Sequence, residues 1–233
     1  MTDYSFILIT AISVGFIHTL LGPDHYLPFI ALSKTCKWGY KKTAIITLIC
    51  GIGHVGSSVI IGLVGILFGI SLDFLVNLES FRGDFAAWLL LVFGFTYFVW
   101  GLHIAFRKEA HTHTHKHDIL THIHPHSHEE EHIHLHTNKG VVASWSMFII
   151  FIFGPCEPLI PIIMYPAAKM NIYYTVFVAA AFSITTLITM LTIVLISTFG
   201  LMRVDTEKFS KYSHALAGFT ILVCGVMIKF AGL

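Results

Sequence analysis

The chain predicts an all-α polytopic membrane protein, six transmembrane helices arranged as two inverted three-helix repeats whose first helices are broken. Three observations carry this. Of its 233 residues, 55% are hydrophobic and 12% charged, against about 25% charged in soluble domains, and the mean hydropathy is +0.78. Apolar runs of about 20 residues, the length that crosses a bilayer, recur six times. Finally, two Gly-Pro-acid elements, Gly22-Pro23-Asp24-His25 and Gly154-Pro155-Cys156-Glu157, each interrupt such a run.

The spans fall near 5–33, 43–72, 85–106, 141–169, 171–199 and 213–232. The first, second, fourth and fifth exceed what a bilayer needs, which predicts tilt or interruption. Residues 73–84 read as a short interfacial piece. The first stretch lacks a basic flank and is about twice a signal-peptide core, so it reads as a span. Lys and Arg set the orientation. With the N-terminus outside, the inner loops hold 11 of the 14, leaving Arg82, Lys169 and Lys229 for the outer side. Positive charge favours the cytoplasm. This predicts an inner-membrane protein with both termini outside and loop 107–140 cytoplasmic.

The two halves, 1–106 and 141–233, repeat each other. Gly94-Phe95-Thr96-x-x-Val99-x-Gly101-x-x-Ile104 returns as Gly218-Phe219-Thr220-x-x-Val223-x-Gly225-x-x-Ile228. An odd number of spans per half inverts the second half. Carriers built this way place substrate at broken helices near the midplane.

The breaks also carry the chemistry. Proline removes an N–H and disfavours helix at the residue before it, so Gly22-Pro23 and Gly154-Pro155 read as helix breaks. Asp24 and Glu157 stand as the only acids inside apolar runs. A carboxylate at the centre of an inserting helix costs about 2.5–3.5 kcal/mol and marks a site. His18, His25 and His54 lie at similar depth, so the expected site is His18, Asp24, His25, His54 and Glu157, with Cys156 as a softer ligand. No nucleophile–base array or phosphate loop points to an enzyme. A net charge of +1 gives no basic field for nucleic acid.

The loop 107–140 has its own signature. Histidines 111, 113, 115, 117, 122, 124, 126, 128, 132, 134 and 136 mostly alternate with other residues, and Glu129-Glu130-Glu131 lies between them. The tract lacks the apolar content to fold alone, and imidazole favours Ni, Co, Cu and Zn over Mg or Ca. It reads as a disordered accessory metal-binding segment: His111, His113, His115, His117, His122, His124, His126, His128, His132, His134 and His136.

The stretch GFIHTLLGPDHYLPFI, the GHVGSS helix, the FGPCEPLIP element and the His-rich loop resemble the nickel/cobalt transporter superfamily, in its branch of urease-accessory-type membrane proteins. That resemblance implies a metal signature of His18, Asp24 and His25. The spacing departs from the permeases, with five residues rather than four between His18 and Asp24. The function it implies is secondary transport of a divalent ion, Ni²⁺ or Co²⁺, by alternating access. The metal would be substrate, with no tightly bound cofactor. Expected partners are the ion, the bilayer, and a second copy or a metallochaperone. The alternatives are a thiol or electron carrier similar to the cytochrome c maturation membrane proteins, and an exporter of a sulfur-containing anion. Cys156 stands where one such membrane cysteine belongs, but Asp24 occupies the matching position in the first half.

Overall fold

The computed structural model describes residues 3–107, 112–117, 120–125, 139–169, 171–203 and 211–231. Among the described residues the regular structure is helical apart from one small hairpin. Helix α1 (Asp3–Leu21) stops at the first break, passes a single 3-10 turn (Pro23–His25), and resumes as α2 (Leu27–Thr35). Then follow α3 (Tyr40–Leu67) and α4 (Leu72–Phe106). Beyond the loop, α5 (Lys139–Phe153) and α6 (Leu159–Ala168) flank the second break, followed by α7 (Ile172–Arg203) and α8 (Ser213–Val226), which ends in a π turn (Met227–Ala231). Among the described residues, five helices are long and apolar enough to cross a membrane: those spanning Tyr4–Leu21, Tyr40–Leu67, Leu72–Phe106, Ile172–Leu201 and Ser213–Phe230. Both α5 and α6 are shorter apolar helices.

The exterior is what a lipid solvent selects. Phe81 is 70% exposed, Val92 62% and Ile196 68%, while buried positions include Thr47, Ser58, Glu79 and Thr186. Charged groups are seldom buried without partners in any protein, so an apolar exterior around an interior that keeps polar and charged groups among its apolar ones identifies a multi-pass membrane protein.

Two expectations need correction. Residues 73–84 are not an interfacial piece; they form the first turns of α4, a 35-residue helix about 52 Å long at 1.5 Å per residue. The reason lies in the turn before it. Helix α3 closes with Gly69 at φ +64°, and Ile70 N–H donates to Gly65 O at 2.8 Å while Gly69 N–H donates to Ile66 O at 3.2 Å. This paired closure satisfies the last carbonyls in the fewest residues. Ser71 then caps α4 through Phe74 N–H at 3.4 Å. No room remains for a separate segment, and with α4 starting this early, Glu79 joins the acids inside a span.

The loop differs as well. Residues Thr112–His117 (β1) and Leu120–Pro125 (β2) pair antiparallel, where composition alone predicts disorder. His111, His126, His128, His132, His134 and His136 lie outside the described residues.

Helices α4 and α8 form the closest pair. A Cβ on Gly94 would strike the backbone at Leu222, one on Gly101 the backbone at Ala215, one on Gly218 the backbone at Phe98, and one on Gly225 the backbone at Leu91. Numbers rise along α4 as they fall along α8, so the two run antiparallel with main chains nearly touching. Small residues permit that approach where apolar packing against lipid supplies no net drive. Two apolar clusters fill the interior, the first taking in Leu90 of α4 and Ile221 and Cys224 of α8, the second lying among α1, α3, α6 and α7. One centres on Phe29, Trp38, Met147 and Met190, the other on Ala11, Cys156, Ile163 and Phe182.

Gly218→Val places three carbons where Phe98 backbone stands. Overpacking of this kind costs about 1–3 kcal/mol, so the variant is expected to melt well below the parent in a detergent-solubilised thermal unfolding assay. An unchanged melting temperature would contradict the α4–α8 contact.

Candidate functional site

Breaking a helix inside hydrocarbon frees backbone groups that lipid cannot satisfy. At the first break the chain closes on itself. Gly22 N–H donates to His18 O at 3.0 Å, and His25 N–H to Gly22 O at 3.1 Å. Pro23 opens the new turn, where its missing N–H costs nothing. Gly22 is required by close approach, since a Cβ there would meet the His25 ring and the Asp24 carboxylate. His25 Nδ1 lies 3.1 Å from Gly22 O and 3.2 Å from Asp24 Oδ1, which holds the ring at both points.

The second break is held from outside, by α4. Cys156 N–H donates to Glu79 Oε2 at 3.0 Å and to Ser58 Oγ at 3.1 Å. Ser58 Oγ in turn donates to Glu79 Oε2 at 2.8 Å. On the other flank, the Arg82 guanidinium donates to Ile152 O at 2.8 Å and Gly154 O at 3.4 Å, two carbonyls left free where α5 ends. Arg82 also donates to Ser57 Oγ at 2.6 Å and to Glu79 Oε1. Glu79 is 0% and Arg82 8% exposed. One buried ion pair therefore covers the opened donor and the opened acceptors of the same break.

Between the breaks, three imidazoles stack edge to face. His18 and His25 ring centres are 4.8 Å apart, His25 and His54 5.0 Å. The ligand atoms of His18, His54 and Cys156 all lie within 4.8 Å of one another. A Cβ on Gly154 would collide with the His54 ring, so the glycine of the second break makes the space His54 occupies. The Nε2 atoms of His18, His25 and His54 are buried with no hydrogen-bond partner. Such orphaned groups ask for a functional explanation. A cavity of about 640 Å³ adjoins them, lined by His18, Asp24, His25, His54, Asp84 and Glu157, among others, and reaching Lys229.

Of the expected set, His18, Asp24, His25, His54 and Cys156 gather as a group. Glu157 instead is exposed and lines the cavity. The atoms that converge are two imidazoles and a thiol rather than imidazoles and carboxylates. Asp24 serves to hold His25. Sequence reasoning missed Ser57, Glu79 and Arg82. The available signal was the Glu79-x-x-Arg82 spacing, one helical turn, within a stretch whose Leu75, Val76, Leu78 and Phe81 continue the apolar run.

Residues 27–227 match the family model described as the cytochrome c biogenesis protein transmembrane region. The chain belongs to that family. No curated protein and no solved structure matches. Membership overturns the nickel/cobalt superfamily resemblance and, with it, divalent metal transport as the function. The resemblance rested chiefly on His18, Asp24 and His25, which lie before the matched region, and on a spacing that already departed from the permease motif. Membership favours the thiol/electron-carrier alternative over metal transport.

Removing one partner from a buried ion pair leaves an uncompensated charge, at about 3–5 kcal/mol. Glu79→Ala is expected to destabilise the protein by that order, and Arg82→Leu likewise. The double variant should recover part of the loss in a double-mutant cycle read by thermal melting. Additive losses would show that the pair does not act as a unit.

Proposed function

We propose that this protein is a thiol carrier of the cytochrome c biogenesis type, built as two inverted three-helix halves and working through Cys156. The observation that carries the reading is the position of Cys156. It sits at a helix break, 0% exposed, its thiol within 4.8 Å of ring nitrogens of His18 and His54.

The chemistry follows from those neighbours. Only a thiolate attacks a disulfide, and an unpartnered imidazole nitrogen beside the thiol can take its proton. Cys156 sulfur attacks one sulfur of a partner disulfide; a mixed disulfide forms and the other sulfur leaves as thiolate, collecting that proton. A thiol of a second, dithiol partner then attacks the Cys156 sulfur of the mixed disulfide, so the first partner leaves fully reduced. Cys156 is now joined to the second partner, and the step after it releases Cys156 as a thiol. The second thiol of that dithiol completes the exchange, so the dithiol is oxidised and the original disulfide reduced.

All four cysteines, Cys36, Cys50, Cys156 and Cys224, are free. Cys50 and Cys224 belong to the other apolar cluster, away from the one around Cys156. This favours a one-cysteine carrier over a symmetric pair, as Asp24 in the matching position already implied. The cavity supports a thiol carrier over an anion exporter. Asp24, Asp84 and Glu157 line it, and Lys229 there is held by Asp84 at 2.7 Å.

The inverted repeat is supported by reciprocity at α4–α8. Gly94 meets Leu222 and Gly218 meets Phe98; under the repeat, 94 corresponds to 218 and 98 to 222. Each contact thus has its mirror, as an isologous two-fold interface requires. We assign the protein to the inner membrane with its termini outside, on the positive-inside bias.

In proteoliposomes with a dithiol on one side and a disulfide reporter on the other, Cys156→Ser should reduce transfer to the protein-free background. Cys50→Ser and Cys224→Ser should retain it. Transfer by Cys156→Ser at the parent rate would overturn the proposal.

A further inference from the structure

The cavity beside Cys156 sets which disulfides arrive there. It measures about 640 Å³ and is walled by both helix breaks and by α4, among others, a size typical of ligand sites, which run to about 300–1,000 Å³. His18 and His54 stand in its wall, and the Cys156 thiol lies within 4.8 Å of a nitrogen on each. His25 and His54 are each 3% exposed. Their Nε2 atoms have no hydrogen-bond partner, although both rings line the cavity. Buried ring nitrogens left this way ask for a partner.

Charge narrows the ligand further. Asp24, Asp84, Glu157 and Lys229 line the cavity. Asp84 and Lys229 neutralise each other at 2.7 Å, and Asp24 is committed to His25 at 3.2 Å. Glu157 is exposed and has neither an ion-pair nor a hydrogen-bond partner among the described residues. Its carboxylate stands beside Gly83 of α4, where a Cβ would come 3.6 Å from Oε1, so no side chain of that residue crowds it. A carboxylate without a counter-charge inside a membrane span is a site by default. Glu157 also follows Cys156 directly in the chain, so whatever it binds is held near the reacting sulfur. We propose that Glu157 is a specificity-determining residue of the thiol site, and that the disulfide it selects carries an ammonium or guanidinium group beside its sulfurs. This rests on the thiol-carrier reading of Cys156. The Cys156 thiolate attacks the sulfur on the cationic half and a mixed disulfide forms. The other sulfur leaves as thiolate and collects the proton that the imidazole took. The cation stays at Glu157 through the step, whereas an anionic disulfide meets repulsion at the same point.

The test uses the full-length protein in nanodiscs at low ionic strength and three small disulfides: cystamine, which is cationic, hydroxyethyl disulfide, which is neutral, and dithiodipropionate, which is anionic. Mixed-disulfide formation at Cys156 is timed by acid quench and peptide mass spectrometry, which separates it from Cys36, Cys50 and Cys224. Each rate is divided by that of mercaptoethanol with the same disulfide, which removes intrinsic reactivity. The parent should favour cystamine over dithiodipropionate by about tenfold, the order expected when attraction replaces repulsion at one solvated charge. Added salt should narrow the gap. Glu157→Gln should bring cystamine and the neutral disulfide to parity, and Glu157→Asp should keep cystamine first. Equal rates for the three probes in the parent, or a preference that survives Glu157→Gln, would overturn the inference and leave the thiol reading standing. No mixed disulfide at Cys156 with any probe would overturn both.

Discussion

The fold depends on the Glu79–Arg82 ion pair. A helix broken at Gly154-Pro155 frees an amide and several carbonyls in a medium that offers nothing in exchange, each worth several kcal/mol if left bare. Glu79 accepts from Cys156 N–H and Arg82 donates to the carbonyls of Ile152 and Gly154. A single pair, one turn apart on α4, offsets both ends of the break. Its own desolvation cost is moderated because Ser57 and Ser58 complete the network. A buried ion pair is weak evidence for stability in general. Here it does something an apolar pair could not, because only a donor beside an acceptor can cap both flanks of an opened helix.

The consequence for chemistry is positional. Holding the Cys156 amide fixes where its side chain leaves the chain, and that point faces His18 and His54. The first break supplies the complementary part by a different device: Asp24 and Gly22 O anchor His25 at Nδ1, and the three rings then order one another edge to face. The two breaks match in sequence pattern and differ in how their backbone is satisfied. One closes locally and presents imidazole; the other is braced by a neighbouring helix and presents a thiol.

Much of this was legible in the residues alone. Gly22-Pro23 and Gly154-Pro155 marked the breaks because proline chemistry is local, and apolar run length marked the long helices because bilayer thickness is fixed. His18, Asp24, His25, His54 and Cys156 were found for the same reason: polar groups stand out against apolar sequence. Three things were not legible. Glu79 and Arg82 look like surface residues in sequence, since their charges are cancelled only by a partner one turn away and by groups on α3 and α5. Glu157 looked equivalent to Asp24, and both line the cavity, but Asp24 holds His25 while Glu157 is exposed, a difference of packing that no local pattern encodes. The nickel/cobalt resemblance rested chiefly on a short motif around the first break, whereas family membership rests on residues 27–227, a far longer stretch of pattern.

The central claim is that Cys156 exchanges disulfides at a site framed by His18 and His54. The most direct measurement is its redox state in intact cells. Cells are quenched with acid to freeze thiol exchange, free thiols are alkylated, and the peptide containing Cys156 is read by mass spectrometry. Under an oxidising challenge the account predicts a fraction of Cys156 in a mixed disulfide, reversed when a dithiol is supplied. Cys156 found only as the free thiol under both conditions would contradict it.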